Sequence, residues 1–189
     1  QLTALRAIPN LTVIRPADAN ETVTALRYVL EHKNGPVAFV LTRQAVPVID
    51  RVKYSSHEGL TKGAYVLADS GAPPELILMA SGSEVQLAIG AYEQLSKESV
   101  AVRVVSVPSF ELFEQQSAQY KESVLPVEVE RRIAIEAGAT LCWYKYVGLK
   151  GKMIGIDTFG ISAPSKHLFE HFGLTVNNVL KTATELLKG

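Results

Sequence analysis

Residues 75–95, ELILMASGSEVQLAIGAYEQL, carry two periodicities in succession. Residues 75–80 read as a strand, and after Glu75 the run 76–80 is apolar without a break, as in strands inside parallel sheets. From residue 85 the spacing changes. Val85, Ala88, Ile89, Tyr92 and Leu95 share one face of a helix. Ser81-Gly82-Ser83 joins the two, and both Ser81/Glu84 and Ser83/Gln86 have capping-box spacing, so a helix start is expected there. Strand, turn and helix in that order are the opening of a βαβ unit.

The pattern continues outward from this unit. Residues 100–107, VAVRVVSV, read as a strand. Residues 117–125 read as a helix ended by Pro126. Residues 132–135 and 152–156 are two further strands, and residues 64–67 an edge strand. Pro164 and Gly173 bracket a short helix. Thr175 caps a last one, with Val176, Val179, Leu180, Ala183 and Leu187 as its apolar stripe. Strands alternating with helices predict a Rossmann-like, mostly parallel open sheet with helices on both faces, from about residue 64 onward.

The first 43 residues form a second α/β piece. Residues 12–14 are a strand. Asp18 and Glu21 have capping-box spacing, so a helix begins near residue 19, with Val23, Leu26 and Leu30 on one face and Gly35-Pro36 behind it. Residues 37–41, VAFVL, read as a strand buried on both faces. One βαβ unit is too little for an independent sheet. With Gln1 rather than Met at the start, the expectation is a piece of a longer protein. Residues 43–64 show no periodicity and read as a linker.

Composition narrows the function classes. The chain has 189 residues, 47% of them apolar, and nineteen basic residues balance nineteen acidic ones. That balance gives no electrostatic footprint for nucleic acid or an acidic membrane surface. No stretch approaches the roughly 18 apolar residues of a membrane-spanning helix. The lone cysteine, Cys142, excludes an internal disulfide, suits a reducing compartment and reads as a small core residue.

Four features could carry chemistry. ASGSE at residues 80–84 puts free N–H groups at a helix start, where an anion can sit, but it is neither a dinucleotide fingerprint nor a Walker loop. HLFEH at residues 167–171 matches an inverted zinc-protease motif. However, Leu168, Phe169 and Phe172 read as the buried side of a brief helix, which leaves His167 and His171 as surface residues. Ser83, Glu136 and Asp157 follow strands, so they could line one crevice at the carboxyl edge of the sheet or serve as caps. Arg43 also follows a parallel strand. Position alone leaves it two readings, a bidentate grip on phosphate or carboxylate, or an interdomain salt bridge.

Several strings, in order, resemble the C-terminal portion of transketolase: TALRAIPNLTVIRPADANET (residues 3–22), GPVAFVLTRQ (35–44), KGAYVL (62–67), MASGSEVQLA (79–88), VRVVSVPS (102–109), YKESVLP (120–126), WYKYVG (143–148) and DTFGISAP followed by LFEHFG (157–173). The resemblance covers essentially the whole chain. Other thiamine-diphosphate enzymes share the architecture, among them deoxyxylulose-phosphate synthase and pyruvate-dehydrogenase-type beta subunits. The strings TRQ at 42–44 and WYKY at 143–146 look like transketolase instead.

The resemblance implies the following. Residues 1–52 are the end of a pyrimidine-binding domain, 53–63 a linker, and 64–189 a Rossmann-like C-terminal domain without the cofactor. The parent is a cytoplasmic homodimer that uses thiamine diphosphate and Mg2+ (or Ca2+). It moves a two-carbon ketol unit from a ketose phosphate to an aldose phosphate in the pentose phosphate pathway, with no nucleic-acid or membrane partner. The cofactor-activating glutamate, the metal and diphosphate motif and the active-site histidines lie upstream of Gln1 in the family pattern. This chain is therefore expected to contribute no catalytic, cofactor-binding or metal-binding residue, and to be inactive alone. One family residue maps: Arg43, from the family's Ser-Arg-Gln string, contacts the sugar phosphate. Thr42 replaces the serine and keeps a hydroxyl. Ala45-Val46-Pro47 stands where the family often has Asn-Leu-Pro. The competing expectation is a non-catalytic dimerisation module, or a regulatory one that binds a ligand at the Ser83–Glu136–Asp157 edge.

Overall fold

A computed structural model describes residues 1–70 and 73–188 of the chain. A short helix α1 (Leu2–Arg6) precedes strand β1 (Thr12–Ile14), helix α2 (Ala19–Glu31) and strand β2 (Val37–Phe39). β1 and β2 pair in parallel, Val13 opposite Ala38, as a βαβ unit should. Asp18 caps α2 by accepting from Glu21 N–H at 2.9 Å, and the Glu21 carboxylate reaches back to Ala17 N–H at 2.8 Å. The capping box read from the sequence is thus formed, displaced by one residue on its return bond.

Two expectations for this piece need correction. The strand at 37–41 is neither so long nor so buried: β2 ends at Phe39, its residues are half-buried, and Leu41 is exposed. A strand buried on both faces needs cover beyond one neighbour. Among the described residues β2 pairs only with β1. The stripe of Val23, Leu26 and Leu30 is also exposed, while Glu21, Thr24 and Ala25 are buried. The side of α2 that the second domain covers is its polar side.

The stretch between the two pieces is not structureless. Residues His57–Lys62 wind into a 3-10 helix capped by Ser56, and Leu60 packs fully buried with Ile14, Ala25 and Leu112.

The second sheet comprises β3 (Tyr65–Asp69), β4 (Leu76–Ala80), β5 (Val102–Ser106), β6 (Arg132–Ile135) and β7 (Lys152–Ile154), in the order β3-β5-β4-β6-β7. All pairs are parallel except β3 with β5 at the edge. Helix α3 (Val85–Leu95) follows β4. Helices α4 (Phe110–Glu114) and α5 (Ala118–Val124) follow β5, α6 (Tyr144–Val147) precedes β7, and α7 (Ser165–His171) and α8 (Val176–Lys188) close the chain. Alternation along β4 sorts the core. Leu76, Leu78 and Ala80 face α3 and α8, while Ile77 and Met79 face Phe110, Phe113, Val124, Trp143 and Tyr146. Each fully buried Leu or Ile contributes about 1.5–3 kcal/mol of transfer free energy.

Periodicity missed further short elements. α1 and α4 are five residues each, too short to show a stripe, and the 3-10 turn Thr140–Trp143 runs into α6 without one.

Candidate functional site

β4 is the point where the strand order reverses. The chain leaves it for β5 on one side and later returns to β6 on the other, so a crevice opens between the carboxyl ends of β4 and β6. Open α/β sheets bind ligands in such crevices. Here the first domain fills it. Arg15 follows β1 and extends its side chain between the two loops. Its Nη1 donates to the Ser81 carbonyl at 2.6 Å and to Glu84 Oε2 at 2.5 Å, and lies 3.5 Å from Glu136 Oε1. Glu84 Oε2 also accepts from Ala137 N–H at 2.9 Å, which joins the two loops.

Gly82 makes room for this arrangement. Its φ is +64°, and a Cβ there would stand 2.7 Å from the Arg15 guanidinium carbon. The glycine of ASGSE therefore admits a protein cation rather than a bound anion. Neither expected capping box forms at this helix start. Ser81 makes no side-chain cap, and its hydroxyl is buried without a partner among the described residues. Ser83 instead donates to Glu84 Oε1 at 2.5 Å.

Glu136 is locked as firmly. Arg6 grips it with two nitrogens, Nη2 to Oε1 at 2.8 Å and Nη1 to Oε2 at 2.6 Å, and Trp143 Nε1 donates to Oε2 at 2.9 Å. The Arg6 guanidinium lies over the Phe110 ring, 4.2 Å from its centroid, and reaches Cys142 Sγ at 3.3 Å. Burial pushes the Glu136 carboxyl up, but the Arg6 bond and charge, the Arg15 charge and the Trp143 bond outweigh it and hold the group below the usual carboxylate range. Cys142 is half-buried against the aromatic cluster, close to the core role expected for it.

The Ser83–Glu136–Asp157 crevice is therefore not assembled. Asp157 is exposed and caps the turn after β6, accepting from Thr140 N–H and its hydroxyl, both at 2.8 Å. Glu136 is consumed by two arginines. His167 and His171 are exposed, and among the described residues no group of three His, Cys, Asp or Glu could hold a metal.

A second buried carboxylate links the domains. Glu21 accepts from the Tyr65 hydroxyl at 2.6 Å and the Ser106 hydroxyl at 2.8 Å. Burial pushes its carboxyl up, and these bonds, the Ala17 N–H and the Arg51 charge only partly counter that. Beside it, Asp18 accepts from Ile49 N–H at 2.9 Å and pairs with Arg51 at 3.0 Å.

Arg43 stands apart from all of these. It lies in the irregular segment beyond β2, exposed, with no hydrogen bond or ion pair among the described residues. The salt bridge that its position allowed is made by Arg15 and Arg6 instead. Arg15 directly follows β1, while Arg43 lies further beyond β2; the strand-end argument made for Arg43 applies at least as well to Arg15, which sequence reasoning missed. The signal for the lock was Glu84, an acidic residue between an apolar strand and the apolar stripe of α3.

Comparison with known proteins covers nearly the whole chain. The family described as "Transketolase, pyrimidine binding domain" matches residues 1–48, and "Transketolase-like TK C-terminal domain" matches residues 63–175. A transketolase of Aquifex aeolicus (strain VF5) is 52% identical over 185 residues, which is 98% of this chain and 27% of that protein. A solved transketolase from Leishmania mexicana is 41% identical with a TM-score of 0.91, over 99% of this chain and 27% of that one. A Pichia stipitis transketolase in complex with sedoheptulose-7-phosphate is 35% identical with a TM-score of 0.89, over 99% of this chain and 26% of that one. The chain thus spans about a quarter of the length of these relatives. In the described residues, no helix is long and apolar enough to cross a membrane.

Proposed function

This chain belongs to the transketolase family, matching its C-terminal portion, and on that premise we propose that its parent moves a two-carbon ketol unit from a ketose phosphate to an aldose phosphate. Thiamine diphosphate, when bound with its divalent metal, supplies the carbanion chemistry of that transfer. The residues described here do not fit that group: no acidic or histidine cluster could hold the metal, and the acidic side chains in the sheet crevice are taken by Arg6 and Arg15. No step through the cofactor is assigned to them. The reading includes a homodimeric cytoplasmic parent of the pentose phosphate pathway.

The role proposed for this chain's own residues is narrower. Arg43 binds the distal phosphate of the sugar, and so helps place the reacting carbonyl without taking part in bond making. The observation that carries this is its state: an exposed guanidinium with no protein partner among the described residues, while every other arginine that reaches the domain boundary is paired. The sugar phosphate in the Pichia stipitis relative supports the substrate class. In the full-length protein, Arg43→Ala is expected to raise KM for phosphorylated substrates about 10- to 100-fold, the worth of a charge-assisted hydrogen bond, with a smaller effect on kcat. An unchanged KM overturns the phosphate role. This chain alone, mixed with thiamine diphosphate, magnesium and sugar phosphates, is expected to give no turnover, and turnover would overturn that part.

A further inference from the structure

Arg43 is flanked by two residues that belong to one directed chain of hydrogen bonds. The Thr42 hydroxyl donates to the Gln44 side-chain carbonyl. Gln44 Nε2 donates to Ser83 Oγ at 3.3 Å, and the Ser83 hydroxyl donates to Glu84 Oε1 at 2.5 Å. Each hydroxyl has one proton to give, and the Glu84 carboxylate only accepts, so the polarity of the chain is set from its buried end. Glu84 is itself held by Arg15 and by Ala137 N–H. A second tether lies four residues beyond Arg43, where Gln86 Nε2 donates to the Pro47 carbonyl at 3.1 Å. The segment after β2 has no helix or strand of its own until residue 57. Its course is set by Ser83 and Gln86, both at the head of α3, and by the bond from Ile49 N–H to Asp18.

We propose that Ser83 is a positioning residue. Through Gln44 it holds the backbone that presents Arg43, so that the second domain serves as the platform for a substrate contact made by the first. The proposal rests on the phosphate reading of Arg43. An arginine has a long, flexible side chain, and fixing the backbone on both sides of it reduces the search for a bound geometry. The crevice that elsewhere receives a ligand has become the anchor of that platform: Arg15 fixes Glu84, Glu84 fixes Ser83, and Ser83 fixes Gln44. The consequence is selective. Only substrates that touch Arg43 sense the loss of the anchor.

The test is steady-state kinetics of the full-length holoenzyme, with an aldose phosphate and the same aldose without phosphate as alternative acceptors. Ser83→Ala is expected to raise KM for the aldose phosphate about five- to tenfold, the worth of one or two neutral hydrogen bonds, and to leave KM for the unphosphorylated aldose and kcat within about twofold. Ser83→Thr, which keeps the hydroxyl, restores the first value. In an Arg43→Ala background, Ser83→Ala adds nothing further. Because Ser83 also braces Glu84, Gln44→Ala is measured in parallel and gives the same selective rise. Equal rises for both acceptors, no rise in either variant, or a full additional effect in the Arg43→Ala background each overturn the positioning role. If Arg43→Ala itself shows no preference for the phosphorylated acceptor, the phosphate reading fails, and that arm distinguishes its failure from failure of the anchor alone.

Discussion

Arg15 and Glu84, 69 positions apart, meet at 2.5 Å across the boundary between the two domains, with Glu84 fully buried. Removing one partner of such a pair leaves a charge without its counterion in a place water does not reach. Arg15→Ala is expected to lower unfolding free energy by about 3–5 kcal/mol, measured as the urea midpoint at constant slope. A loss below about 1 kcal/mol would mean that Ala137 N–H and Ser83 satisfy Glu84 without the arginine.

Gly82→Ala is expected to destabilise the chain for two separable reasons. A φ of +64° strains any residue with a Cβ, and that Cβ would sit 2.7 Å from the Arg15 guanidinium carbon. The strain alone is worth about 1–3 kcal/mol. A double-mutant cycle with Arg15→Ala separates them: the part due to the clash disappears once the arginine is gone, and the backbone part remains. Strict additivity would show that the arginine moves aside without cost.

Glu136 predicts an acid-side decline in stability. Its folded carboxyl lies below the usual range. The stability it supplies is therefore fully present above the unfolded glutamate value of about 4.3 and is lost as pH falls through the folded value. Glu136→Gln is expected to flatten the stability profile below about pH 4.3. A profile of unchanged slope in that window would place the acid sensitivity elsewhere.

Glu21 predicts the opposite sign. Its folded carboxyl lies above the usual range. Its contribution is therefore fully present below the unfolded value of about 4.3 and is lost as pH rises through the folded value. Glu21→Gln is expected to remove that loss, so the variant gains on the parent as pH is raised, with Tyr65 and Ser106 still offered an oxygen. Parallel profiles for the two proteins would show that the hydrogen bonds and the Arg51 charge already cancel the burial.

The helix stripes of Val85–Leu95 and Val176–Lys188, the apolar strands 76–80 and 132–135, and the caps at Asp18, Ser117 and Thr175 follow from residues within one or two turns of each other. Such features are properties of the local chain, and the sequence by itself determined them, together with the open α/β class and the family. It could not determine which charged residue was site and which was lock. Arg15 and Arg43 have similar local signatures in the sequence, each an arginine after an apolar run. What separates them lies far along the chain: Glu84 and Glu136 come to face Arg15, 69 and 121 positions away, and no acidic residue comes to face Arg43 among the described residues. In the same way the stripe on α2 was legible but its burial was not, because burial depends on what packs across it. Only the tertiary structure closed the crevice at Gly82, and it did so by placing a cation from one domain where the other domain's fold would admit a ligand.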